Sequence, residues 1–128
     1  MRFYEGADPI LALGQILVGG YFIAMLIKNF RLWDYNVGRI GETLPFPAVV
    51  LVTGFVIQGI GAALVVLDIH ADVGAVLLMI FTVAATALFH RFWSMEDPMR
   101  QTYHMLLLSS NVALFGALLM IFALAHGG

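Results

Sequence analysis

Cysteine is absent from this chain of 128 residues. That absence excludes disulfides, thiol redox catalysis and thiolate metal sites, and leaves the compartment open. Charge is nearly as scarce. Charged residues make up 11% of the sequence, against about 25% in a soluble domain. The net charge is −2, so no basic surface calls for nucleic acid, and that class of partner is set aside. There is no HxxxH or ExxH spacing around the histidines and no GxSxG turn. The sequence therefore offers neither a recognisable metal site nor a hydrolase nucleophile, and no catalytic residue is assigned.

Apolar surface is what the chain has in excess. Hydrophobic residues reach 62%, and the mean hydropathy is +0.96. A single soluble core of this size cannot hide so much, so hydrocarbon is the expected solvent. Four windows are free of Asp, Glu, Lys, Arg and His: Pro9–Ile27, Pro47–Leu67, Val73–Phe89 and Met105–Ala125. Each approaches the roughly 20 residues that carry a helix across about 30 Å of hydrocarbon. Helix is favoured because lipid cannot satisfy backbone amides. The first window follows a leader, "MRFYEGADP", that lacks the positive character of a secretory signal, so it is read as a membrane helix.

Helix starts are marked. Asp8-Pro9 and Asp97-Pro98 each set a capping acid before a proline at the first helical position. Pro47 opens the second window, and Asp72 can cap the third. The expected architecture is an all-α membrane protein, a single antiparallel bundle of four transmembrane helices. They span about 9–27, 47–67, 73–90 and 98–125. The last makes a rod of about 42 Å at 1.5 Å per residue, so its first turns stand in the headgroup layer.

Orientation follows the basic residues. Lys28, Arg31 and Arg39 fall in the loop at 28–46, Arg91 and Arg100 in the loop at 90–104, and only Arg2 on the opposite side. The two basic loops are therefore expected in the cytoplasm and both termini outside. Trp33, Tyr35, Trp93 and Tyr103 read as interfacial anchors. Gly14, Gly19, Gly20, Gly54, Gly59, Gly61 and Gly116 read as places where helix backbones approach one another.

The polar chemistry is concentrated in "ALFHRFWSMEDPMRQTYHM", residues 87–105. Thr82, Thr86 and His90 recur every four residues and share a helix face, and His104 and Asn111, seven apart, share another. Gln58 lies near mid-membrane on the second helix. Together these predict a polar cleft open to the cytoplasmic side. A quinone is a possible ligand for it: His90, His104, Asn111 and Lys28 can donate to the two carbonyl oxygens, and Trp93 can stack on the ring. Simple helix-to-helix hydrogen bonding is the blander reading of Asn111 and Gln58.

The segment "TALFHRFWSMEDPMRQTYHMLLLSSNVALFGALLMI" resembles the DoxX family of small four-helix membrane proteins. The likeness rests on His90, Phe92 and Trp93 at the end of the third helix. It continues through Asn111, Ala113, Gly116, Leu118 and Leu119 in the fourth. "GGYFIAMLIKNF", with Lys28, and Pro45 or Pro47 before the second helix are compatible with it. Gln58 departs from the pattern, because family members often carry a glutamate there. The resemblance implies an integral protein of the prokaryotic cytoplasmic membrane, an accessory or scaffold subunit packed against a larger membrane complex, in a redox- or quinone-associated setting. A quinone-site subunit of a membrane oxidoreductase, such as thiosulfate:quinone oxidoreductase, is the alternative. A small-solute transporter comes third, because no ionisable residue lies inside the four windows.

Overall fold

The computed structural model describes residues 9–42, 44–89 and 97–127. Among these residues it is all-helical: α1 Pro9–Arg31, α2 Trp33–Gly41, α3 Pro47–Leu67, α4 Ala71–Phe89 and α5 Pro98–Gly127. Three stretches, Pro9–Arg31, Pro47–Leu67 and Gln101–Ala125, are long and apolar enough to cross a membrane, and Ala71–Ala87 forms a shorter apolar helix. By length and composition this is an all-α membrane protein.

The boundaries follow local chemistry. Asp97 caps α5, its Oδ1 accepting the Met99 N–H at 3.0 Å, which satisfies one of the orphan donors of the first turn. Asp72 does not start α4 as its position suggests. The helix has already begun at Ala71, and the Asp72 carboxylate accepts the adjacent Val73 N–H at 2.9 Å. α3 ends at Leu67, and its capping residue, Asp68, adopts a left-handed conformation with φ 56°. The Asp68 N–H donates to Val65 O at 3.2 Å and the Ile69 N–H to Leu64 O at 3.0 Å, the arrangement by which a left-handed residue closes a helix end.

The segment 28–46, expected as a loop, is mostly helical. α1 runs four residues past Ile27 and carries Lys28 in its last turn. After a break at Leu32 comes α2, with Asn36 and Ile40 buried. The Asn36 side chain donates to Asn29 O at 3.0 Å, a carbonyl in the last turn of α1 that also accepts the Leu32 N–H at 3.2 Å. Trp33 packs among Phe30 and Phe55, with ring centroids 6.5 and 6.2 Å away.

α3 is the hub. It packs against α1 on one side and α4 on the other, and α5 packs against α4, while α1 and α5 touch only lightly. The chain therefore makes an open row of helices rather than a ring closed on all sides. The core gathers Phe22, Ala62, Val65, Ala71, Ala75, Leu78, Leu118 and Ile121. Outer faces remain apolar: Leu17, Val49, Ile80 and Val112 are all more than half exposed. Water would penalise that much exposed apolar surface, whereas lipid is indifferent to it.

The glycines divide into two groups. A Cβ on Gly61 would lie 3.0 Å from Gly74 O, and one on Gly74 would lie 2.8 Å from Gly61 O. The α3 and α4 backbones thus meet where neither has a side chain. Gly19 similarly faces Val66 and Ala62 O. In contrast, a Cβ on Gly14, Gly20 or Gly116 would meet nothing within 4 Å. Those three, expected at helix contacts, make none among the described residues.

Candidate functional site

Polar side chains in this interior are few, and each has a specific use. On α4, Thr82 is buried and its hydroxyl donates to Leu78 O, one turn back, at 2.7 Å. Such a bond satisfies the hydroxyl without recruiting a neighbour. Thr86, one turn further on, behaves differently. Its Oγ1 accepts from Asn111 Nδ2 of α5 at 3.1 Å. The two polar stripes expected on these helices therefore do meet, through Thr86 and Asn111. Both residues are half-buried.

His104 lies on α5 two turns before Asn111, about 10 Å along the axis. It is half-buried, with the Tyr103 ring edge-on at a centroid distance of 5.6 Å. Lys28 is exposed, on a helix that only grazes α5. The structure does not gather it with Asn111. His90 and Trp93 lie outside the described residues.

Gln58 is not part of that pair. It is 1% exposed, and its Nε2 donates to Phe22 O of α1 at 2.8 Å. This amide ties α3 to α1 rather than lining a cleft. Among the described residues its Oε1 has no hydrogen-bond partner. A buried acceptor left unpaired costs about 1–3 kcal/mol, comparable with what the single bond contributes. We therefore expect Gln58→Leu, which keeps the volume and removes both groups, to stay within about 1 kcal/mol of the parent protein. Gln58→Ala, which also opens a cavity, should cost about 2 kcal/mol or more. Unfolding titrations in detergent micelles would check this; equal losses in the two variants would mean that the amide bond dominates.

Gln15 was given no role by the sequence reading. It is buried on α1, and its Nε2 donates both to Val65 O and to Asp68 Oδ1, each at 3.2 Å. It thereby ties α1 to the C-terminal end of α3. Its signal was a lone amide inside an apolar window, four residues before Gly19 and seven before Phe22. All three are the buried residues of α1.

Among the described residues, no group of three or more His, Cys, Asp or Glu residues gathers to hold a metal ion. The Asn111–Thr86 pair can orient a carbonyl or hydroxyl group. It has no nucleophile activated by a neighbouring base, as covalent catalysis would require. No family model, curated protein or solved structure matches this chain.

Proposed function

We propose that the protein is a DoxX-like integral membrane subunit with four spans, α1, α3, α4 and α5, acting as an accessory or scaffold within a larger membrane complex. α4, with 19 residues, gives a rod of about 28 Å, sufficient for a hydrocarbon layer of about 30 Å with slight thinning. α2 lies at the interface on the basic side, beside Lys28 and Arg31 at the end of α1. On the positive-inside rule that side is cytoplasmic. The prokaryotic inner membrane is the setting the resemblance implies.

The observation that carries the accessory reading is the isolation of α5. It is the longest helix, yet it packs against essentially one neighbour. On its outer side Ser109 and Ala113 are exposed, and Gly116 has open space above it. The Ser109 and Ser110 hydroxyls donate to carbonyls one turn back, Met105 O at 3.0 Å and Leu106 O at 3.1 Å, so no polar group there requires water. Small residues at this spacing let a second helix approach closely. Purification from native membranes in mild detergent should recover a stoichiometric membrane partner. Gly116→Leu should abolish that co-purification while helicity and monomer yield stay unchanged. A chain that elutes alone, or a Gly116→Leu variant that keeps the partner, would overturn the reading.

A quinone-site subunit is the second reading, and the Asn111–Thr86 contact favours it. An amide and a hydroxyl, with His104 two turns nearer the membrane surface, can hold a quinone carbonyl. His90, Lys28 and Trp93 remain the further contacts this reading uses. Loss of quinone-dependent electron transfer in His104→Ala and Asn111→Ala membranes, at normal protein levels, would support it over the scaffold reading.

A further inference from the structure

Thr53, Thr82, Ser109 and Ser110 each donate the hydroxyl proton to the carbonyl one turn back, at distances between 2.7 and 3.1 Å. Thr86 does not follow this pattern. Its Oγ1 accepts from Asn111 Nδ2 at 3.1 Å, and among the described residues its own proton has no acceptor. Asn111 is in the complementary position. Its Nδ2 donates to Thr86, while among the described residues its Oδ1 has no donor. The contact therefore uses one function of each side chain and leaves one: a donor on Thr86 and an acceptor on Asn111. The two lie close together, because the free proton is on the same Oγ1 that accepts, and Oδ1 shares the planar amide with Nδ2. Both residues are half-buried. Val83 and Val112 beside them are more than half exposed, so the pair stands at a margin of the α4–α5 contact that lipid can reach. Lipid tails offer neither a donor nor an acceptor to satisfy it.

We infer that the Asn111–Thr86 pair is a binding site for the hydroxyl of a lipid-soluble phenol or alcohol. A hydroxyl both accepts and donates. It takes the Thr86 proton and gives its own to Asn111 Oδ1, which closes a cycle of three hydrogen bonds with every function used. A ketone or an ether only accepts, and leaves the Asn111 oxygen unpaired. Depth favours the same class of ligand. Thr86 is three residues before the end of α4 at Phe89, about 5 Å along the axis, and Asn111 is about 10 Å beyond His104. A weakly polar head on an apolar body can reach that level, whereas a charged headgroup stays at the surface. The partner helix proposed for α5 does not compete, because Asn111 lies about 160° around that helix from Ser109 and Ala113. The inference deepens the quinone-site reading and rests on it only for the nature of the ring. Of the two redox forms, the hydroquinone alone carries the hydroxyl that completes the pair.

The test is native mass spectrometry of the full chain in detergent, titrated with a para-alkylphenol and with the methyl ether of the same phenol. Methylation removes the proton to be donated and keeps the accepting oxygen. The parent protein should retain one phenol, with a preference of about tenfold over the ether, the size expected of one hydrogen bond. Thr86→Val and Asn111→Leu, which keep the shape and remove the polar functions, should each lose the preference, and Thr86→Ser should keep it. Equal binding of phenol and ether by the parent protein would overturn the inference. So would a preference unchanged in both Thr86→Val and Asn111→Leu, or no saturable phenol binding at all, the outcome if water completes the pair. A preference seen in His90→Phe but not in the parent would give the third place to the histidine, and would overturn it as well. Decyl-hydroquinone and decyl-benzoquinone separate this inference from the reading beneath it. A quinone bound as tightly as its hydroquinone sinks the inference and leaves the quinone site standing. Phenol selectivity in membranes whose electron transfer ignores Asn111→Ala removes the quinone site and leaves the inference. Far-ultraviolet circular dichroism of each variant separates a lost site from a lost fold.

Discussion

Gly74→Val should be among the most damaging single substitutions in this protein, costing about 3 kcal/mol or more. Its Cβ would fall 2.8 Å from Gly61 O and 2.8 Å from Leu64 Cβ. The first of these neighbours is backbone, which cannot rotate away. α3 must then withdraw from α4, and the contact between them anchors the row of helices. In lipid the consequence is severe for a second reason. Helices gain no hydrophobic energy by meeting, so close packing is most of what holds them together. Steric-trapping or thermal unfolding in micelles should show the loss, while circular dichroism shows the individual helices intact. Gly14→Ala, by the same measurement, should be silent or slightly stabilising, because alanine is the better helix former. Equal effects at Gly14 and Gly74 would mean that the α3–α4 contact is not the close one described.

Phe22→Ala should cost about 2–3 kcal/mol. Phe22 is 3% exposed, and its ring meets Phe81 of α4 edge-on at 6.3 Å and 81°. The side chain thus reaches from α1 past α3 and pins a helix that α1 does not otherwise pack against. In a soluble core a Phe→Ala change costs about 3–5 kcal/mol. Part of that is transfer from water, which drops out when the separated helices remain in lipid. The cavity and the aromatic pairing, about 0.5–1.5 kcal/mol for the latter, are what is lost here. The Gln58 bond to the Phe22 carbonyl should survive, since it uses the backbone. Phe22→Leu should recover most of the stability. If unfolding titrations gave the full soluble-core penalty, the reference state would not be helices dispersed in lipid.

The positions of the long helices were legible because lipid imposes one simple rule. An uncharged run of about 20 residues between charges and prolines becomes a helix, and Pro47–Leu67 matches its window residue for residue. α4 gained two residues at its start because the turn at Asp68–His70 takes left-handed conformations, φ 56° and 48°, and lets the helix begin at once. α2 was missed. Trp33, Asn36, Val37 and Ile40 carry the helical spacing, but the segment is too short and too polar to register as a span.

The polar interior was legible only in part. Thr86 and Asn111 were placed on converging faces near one end, and they meet. Gln58 was assigned to the same cleft, yet it bonds to α1. Gln15 was passed over, and it joins α1 to Asp68. An amide in an apolar window declares that it needs a partner, but not which of the neighbouring helices will supply it.

The sequence by itself determined that this is an all-helical chain suited to hydrocarbon, where its long helices run, and which end collects the basic residues. These are one-dimensional properties, set by each residue's transfer energy and by the backbone's need to satisfy its own hydrogen bonds. The tertiary structure decided which glycines bring backbones together, which amides cross between helices, and that α1 and α5 stand apart. Those outcomes depend on how several side-chain surfaces interlock at once. In lipid, where burial of apolar surface no longer ranks one arrangement above another, that fit is the quantity a local pattern cannot carry.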